Sequence, residues 1–173
     1  MSTGQTILAI GAFILFTTIL QGVYGSLGDV GRDIGSSQDG ILATSIATSY
    51  CEIAYGLAFD QATDTSDVAL TSPLSLTYPP GPEAGEDSLS DFNDVDDLNG
   101  FKDVKTAGGS GRQYTTRFTV SYVDSNDVSH VVAYRTYLKR VDMKTWRTFP
   151  PCAVDEVLDT LRTSIVMGYF HFN

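Results

Sequence analysis

Nothing in the first 28 residues carries a charge: no Asp, Glu, Lys or Arg stands between Met1 and Gly28, and the charged positions begin at Asp29. A stretch that long without an ionised group is poorly suited to a solvated loop or a disordered arm, and belongs in lipid or in an apolar protein environment. Basic residues are scarce throughout, 11 Lys+Arg against 21 Asp+Glu for a formal net charge of -10. That balance argues against a nucleic-acid partner, because a polyanion needs a cationic face. Histidine occurs only at His130 and His171, and neither has a Ser, Cys or Asp at a recognised catalytic spacing. G-x-S-x-G, H-E-x-x-H, P-loop and C-x-x-C-H patterns are missing too, so no catalytic residue is assigned and an enzyme is not expected. Proline is absent before Pro73, which leaves a long N-terminal helix unbroken, and there is no N-x-[ST] sequon.

What is present is enough apolar material for one core, 42% hydrophobic and 11% aromatic in 173 residues. Ile7 to Tyr24 reads ILAIGAFILFTTILQGVY, whose only hydrogen-bonding side chains are Thr17, Thr18, Gln21 and Tyr24. As a helix this run is about 27 Å long, close to the hydrocarbon thickness of a bilayer. A secretory signal peptide would start with Lys or Arg and end in a small-residue cleavage site, and Met-Ser-Thr-Gly-Gln does neither. An ordinary membrane anchor is oriented by flanking basic residues, and the nearest here is Arg32. The cation-free start suggests a basic leader already removed.

In that respect the segment resembles the mature N-terminus of type IV pilins and their relatives, which are cut after a short basic leader to expose a neutral apolar helix. The resemblance covers the first 60 residues in pattern and the rest in architecture. The family commonly starts with Phe or Met and carries Glu at the fifth position; here those positions hold Met1 and Gln5. Gln is uncharged, so the family's ion pair with a neighbouring subunit's terminal amine is replaced at most by a hydrogen bond. The resemblance implies a prepilin peptidase, N-terminal methylation, an inner-membrane pool, pilus assembly machinery and a helical homopolymer at the cell surface. It assigns assembly to Met1, Gln5, Ile7, Leu8, Ile10, Phe13, Ile14, Phe16 and Leu20, and implies adhesion, attachment or motility. Two alternatives stand beside it: a minor pilin or secretion-system pseudopilin, and a single-pass anchor holding an extracytoplasmic binding domain. Continuation of the helix into the globular domain separates a pilin from a plain anchor.

The rest of the chain divides accordingly. Residues 1–28 form the hydrophobic helix and 29–59 its amphipathic continuation, in which Leu42, Ile46, Tyr50, Ile53 and Leu57 recur at intervals of 4, 4, 3 and 4 along one stripe. Gly22 to Gly31 is expected to loosen the helix, at about 1 kcal/mol per Gly relative to Ala. Residues 60–173 form the globular head, with an acidic, proline-containing loop over 60–103 and a β-sheet over 104–173. So long a loop calls for a function, a pinning ion or partner, or a short strand near Leu74 to Tyr78. Strand alternation places Tyr114, Phe118, Val120 and Tyr122 on one face. After a turn at Asp124 to Asp127 it resumes over Val131 to Thr145, with Val132, Tyr134 and Leu138 on one side and Arg135, Lys139 and Val141 on the other, and again over Ser164 to Phe172. The predicted class is α+β: a long hydrophobic helix packed on a three- or four-stranded antiparallel sheet, the pilin plan.

Three features invite specific chemistry. In an exported domain, Cys51 and Cys152 read as a disulfide contributing roughly 4 to 5 kcal/mol, the alternative being two buried thiols. Asp91, Asn93, Asp94, Asp96 and Asp97 place side-chain oxygens every one or two residues before Gly100, as a Ca²⁺ site requires, although the EF-hand pattern is not met; the alternative is a solvated acidic loop. No other cofactor is implied. Finally, residues 83–103 hold eight acids and one base, and residues 104–147 eight bases and three acids. Loop and sheet could pair between subunits, which propagates a filament, or within one chain.

Overall fold

The computed structural model describes residues 3–64, 75–151 and 160–169. Met1, Cys152 and His171, and Leu74 of the expected short strand, lie outside them. The chain falls into two units, Met1–Asp39 and Gly40–Asn173. Seven elements are assigned here as α1 (Thr3–Gly56), a single turn α2 (Gln61–Asp64), a 3-10 turn Asp96–Leu98, β1 (Lys102–Thr106), β2 (Gln113–Tyr122), β3 (Leu138–Phe149) and β4 (Leu161–Gly168). The class is α+β, with one long N-terminal helix and a four-stranded sheet.

Helix α1 is uninterrupted over 54 residues. The loosening expected at Gly22 to Gly31 does not occur: every glycine of α1 stays helical, since positive φ is confined to Gly85, Gly100, Gly109 and Gly111. A backbone among apolar side chains gains most by bonding to itself. The polar side chains follow the same logic. Thr17 Oγ1 donates to Phe13 O at 2.8 Å and Thr18 Oγ1 to Leu15 O at 2.9 Å, so neither hydroxyl needs water.

In the second unit the strands pair as an antiparallel meander in the order β1-β2-β3-β4. Register brings apolar residues into rows: Phe118 faces Met143, and Val120, Val141 and Ile165 line up across three strands. Tyr50 and Ala54 of α1 pack on that row together with Phe92, Val95 and Leu98 of the acidic loop. The fully buried line of the helix is Ala43, Ala47, Tyr50 and Ala54, one position round from the predicted stripe, whose other members Leu42, Ile46, Ile53 and Leu57 are half-buried flanks. Small side chains at the centre let the helix lie close to the sheet, and the larger ones close the edges. Tyr50 completes the joint: its ring meets Phe118 edge-on at 5.0 Å and its hydroxyl donates to Asp103.

Three strand boundaries differ from expectation, the last being β4, which runs Leu161–Gly168 rather than starting at Ser164. Strand β1 begins inside the stretch read as loop, because KDVKT has one apolar residue and sits at the sheet edge, where lysines suit an unpaired backbone row. Strand β3 starts at Leu138 rather than Val131. The segment before it is a connection built on Asx turns, Asn126 N–H to Asp124 Oδ1 at 2.8 Å and Ser129 N–H to Asp127 Oδ1 at 2.9 Å, with one isolated bridge between Val123 and Val131. Leu76 to Tyr78 forms no strand.

Candidate functional site

The acidic loop meets the end of α1 and the sheet at a single buried cation. Lys139 points inward in phase with Val141 and Met143, and its side chain is completely buried. Its ammonium donates to Phe59 O at 2.7 Å and Asp60 Oδ2 at 2.8 Å, and lies 2.8 Å from Asp96 Oδ1. Phe59 O and Asp60 Oδ2 accept two of its three protons, and Asp96 Oδ1 faces the charge as an ion pair outside hydrogen-bond geometry. The rings of Phe59 and Tyr122 stand 4.5 and 5.3 Å from the charge, adding cation–π contacts.

Asp60 is the more firmly held partner. It receives the backbone N–H groups of Ala62 and Thr77, the Thr77 hydroxyl and, at 3.4 Å, the Tyr122 hydroxyl. Burial would push its carboxyl up, but Lys139 and these donors outweigh burial and hold it below the usual range. Thr77 is thereby fastened to the base of the helix, and with it the loop around Leu76, which packs against Phe59 and Tyr122. Asp96 has fewer supports: burial, only partly countered by Lys139, pushes it up to about 7.

A second group of acids lies in the same loop without a cation. One oxygen from each of Glu83, Asp94 and Asp97 lies within 4.8 Å of the other two. Asp94 Oδ1 accepts the Asp96 N–H at 2.7 Å, and Asp97 Oδ2 accepts the N–H groups of Asn93 and Asp94 at 2.9 and 3.1 Å. Their other oxygens, Asp94 Oδ2 and Asp97 Oδ1, are buried with no hydrogen-bond partner, as are Glu83 Oε2 and Asn93 Oδ1. Burial, then the neighbouring acids, raise Glu83 to about 7 and Asp94 to about 6. Burial likewise raises Asp97. The loop's backbone is tied to the chain just after α1, where Ala58 N–H donates to Asn93 O and Val95 N–H to Ala58 O, each at 3.0 Å.

The five residues singled out in the sequence therefore separate. Asp94 and Asp97 converge, while Asp96 turns to Lys139. Asn93 donates Nδ2 to Glu86 Oε1 at 2.8 Å, and exposed Asp91 accepts the Ser88 hydroxyl at 2.6 Å. Glu83 was not legible as a member, because only the folding of the loop brings it beside residues eleven and fourteen positions on. Cys51 is a free, half-buried thiol on the flank of α1, and its expected partner Cys152 lies outside the described residues. Of the expected assembly residues, Gln5, Ile7, Leu8, Ile10, Phe13, Ile14, Phe16 and Leu20 all lie exposed on α1, with Leu8 at 75% and Phe13 at 72%. No protein-family model, curated protein or solved structure matches the chain, which leaves the resemblance to type IV pilins on residue pattern and architecture.

Two predictions follow from the buried charges. Lys139→Met leaves Asp60 and Asp96 buried without their cation and should cost about 3–5 kcal/mol in chemical denaturation of the full chain in detergent micelles. Replacing both acids by Asn in the Lys139→Met background should recover much of that loss. For pH, Glu83, Asp94 and Asp96 bind protons more tightly folded than unfolded, so the folded state holds the excess of protons near neutrality. With chelator present, the stability they contribute is complete below the unfolded carboxylate range and is lost as pH rises through about 6 to 7. Denaturation midpoints should thus fall from mildly acidic to mildly alkaline buffer. Asp60 acts oppositely, but only where pH falls through its lowered value.

Proposed function

We propose that this chain is the structural subunit of a type IV pilin-like extracellular filament, polymerising through α1 and displaying the Gly40–Asn173 unit at the cell surface for attachment or motility. The observation that carries this reading is the exposed apolar surface of α1. Every large side chain from Ile7 to Leu20 is exposed, and the series continues at Val23, Leu27, Val30 and Ile34. Monomeric proteins in water seldom leave a contiguous apolar surface of this extent uncovered. Lipid covers part of it before assembly, and copies of the same helix cover it afterwards.

Length favours the polymer over a plain anchor. A bilayer needs about 20 apolar residues, or about 30 Å of helix, whereas 54 residues rise about 80 Å. The glycines point the same way. A Cβ placed on Gly4, Gly11, Gly22, Gly25, Gly28, Gly31 or Gly35 would meet nothing within 4 Å. No contact within the chain therefore requires glycine there, although each costs about 1 kcal/mol relative to Ala. Small residues on an apolar helix admit close approach of another helix, as association inside a membrane or a filament core demands. In such a core Gln5 would offer its amide oxygen to a neighbour's terminal amine in place of the family's carboxylate. The thiols of Cys51 and Cys152 would be free to pair once the subunit is exported.

The test is a charge placed in the apolar surface. Phe13→Asp or Ile14→Asp in producing cells should abolish fibres recovered by shearing and high-speed sedimentation. Circular dichroism of the purified variant should keep the sheet signal, since neither residue belongs to the second unit. Undiminished fibres from both variants would contradict the proposal.

A further inference from the structure

We propose that Glu83, Asp94 and Asp97 form a Ca²⁺ site that locks the acidic loop onto the chain segment following α1. The inference stands independently of the filament reading, because every residue in it belongs to the Gly40–Asn173 unit.

Acids gathered in a loop are common without any ion, and convergence alone would not carry the assignment. The deciding observation is the set of buried oxygens that the protein leaves without a donor. Asp94 and Asp97 are 0% exposed, and each uses one carboxylate oxygen on backbone N–H groups and leaves the other orphaned. Glu83 Oε2 and Asn93 Oδ1 are orphaned in the same loop. A buried polar oxygen without a partner costs about 1–3 kcal/mol, more when charged, so several together in one place call for a ligand that satisfies them jointly. Lys139 is not that ligand, since its ammonium lies at 2.7–2.8 Å from Phe59 O, Asp60 Oδ2 and Asp96 Oδ1 and forms no ion pair with Glu83, Asp94 or Asp97. Among the described residues, no other buried cation pairs with the three acids.

The donor set selects the ion. Every ligand atom is oxygen and most are anionic, which suits a hard divalent cation and disfavours the metals that take Cys or His. The three oxygens lie within 4.8 Å of one another, close enough to face one cation, and the flexible coordination of Ca²⁺ by six to eight oxygens suits ligands gathered from a loop. Mg²⁺ demands near-ideal octahedral geometry and dehydrates reluctantly. Glu86, whose carboxyl contacts both Glu83 and Asp97, is placed to add a further oxygen. A cleft of about 290 Å³ bordered by Pro82, Glu86, Phe92, Asp97 and Asn99 gives the ion a route in. Once bound, it would join the middle of the loop at Glu83 to the turn at Asp94–Asp97, which is already tied to Ala58.

The experiment is calorimetric titration of CaCl₂ into the chelator-stripped full chain in detergent micelles at neutral pH, repeated with excess MgCl₂. The expected result is one Ca²⁺ per chain, with a Kd of about 0.1–1 mM as in extracellular Ca²⁺ modules, persisting in Mg²⁺. Glu83→Gln should weaken binding about ten-fold or more by removing a ligand charge, with the circular dichroism spectrum unchanged. Asp97→Asn should do the same, and its amide oxygen can still accept the Asn93 and Asp94 N–H groups. Asp91→Asn, at an exposed acid outside the cluster, should leave the affinity as it is. No Ca²⁺ heat in the folded wild type, or a Glu83→Gln chain that binds like wild type, would overturn the site. Loss in Asp91→Asn equal to that in Glu83→Gln would overturn its composition, and equal competition by Mg²⁺ would overturn the choice of ion.

Discussion

A buried ammonium joins three parts of the chain that have little else in common. Lys139 comes from the middle of a sheet strand, Phe59 and Asp60 from the segment just after the long helix, and Asp96 from the acidic loop. Each polar group at that point would be costly alone in an apolar interior, and each becomes tolerable only when the other two are in place. The arrangement therefore acts as a register lock more than as a source of net stability. If β3 slipped by one residue, Lys139 would face outward and Val141 with it, while Asp60 and Asp96 would lose their cation. Asp60 extends the lock to Thr77, and the short pairing of Ala58 with Asn93 and Val95 extends it to the acid-rich turn. The charge polarity of the sequence is in this respect consumed within the chain: the loop's acids meet the sheet's base across the core.

The first unit obeys the opposite rule. It has few internal polar demands, since Thr17 and Thr18 bond back to the helix and a Cβ on its glycines would touch nothing. Its apolar side chains have no core of their own to enter. A helix of this kind gets its environment from outside the chain, and lipid and identical neighbours are close to equivalent in polarity. Moving from one to the other costs little desolvation, so packing between small and large side chains can decide the outcome. The two units thus divide the work: one is specified by internal charge pairing and sheet register, the other by what it meets.

Much of this was legible in the sequence because it depends on local pattern. The charge-free run from Met1 to Gly28 announces the apolar helix and the alternation of Tyr114, Phe118, Val120 and Tyr122 announces β2, whereas Lys139 reads only as sharing a side with Arg135 and Val141, and its burial is visible in the structure alone. What local pattern could not supply was anything set by closure over distance. Glu83 joins Asp94 and Asp97 only through the fold of the loop, and Asp96 leaves its neighbours because Lys139 arrives from a strand more than forty residues away. Strand β1 was hidden because an edge strand with a single valine has no alternation to read. Val131 to Tyr137 misled in the other direction, its β-branched and aromatic residues lying in a connection where turn chemistry at Asp124 and Asp127 overrides strand preference. The buried face of α1 was displaced by one position because alanines, which hydrophobic periodicity discounts, are what allow close contact with the sheet.

The central claim is that α1 finds its cover in copies of itself. Cryo-electron microscopy of material sheared from producing cells addresses this most directly, since a helical reconstruction shows which part of the subunit lies at the axis. The account predicts thin fibres with α1 bundled in the core, Phe13 and Ile14 packed between subunits and the four-stranded sheet on the outside. Chains recovered only as monomers from the membrane fraction, or fibres whose core is built from the sheet with α1 facing solvent, would contradict it.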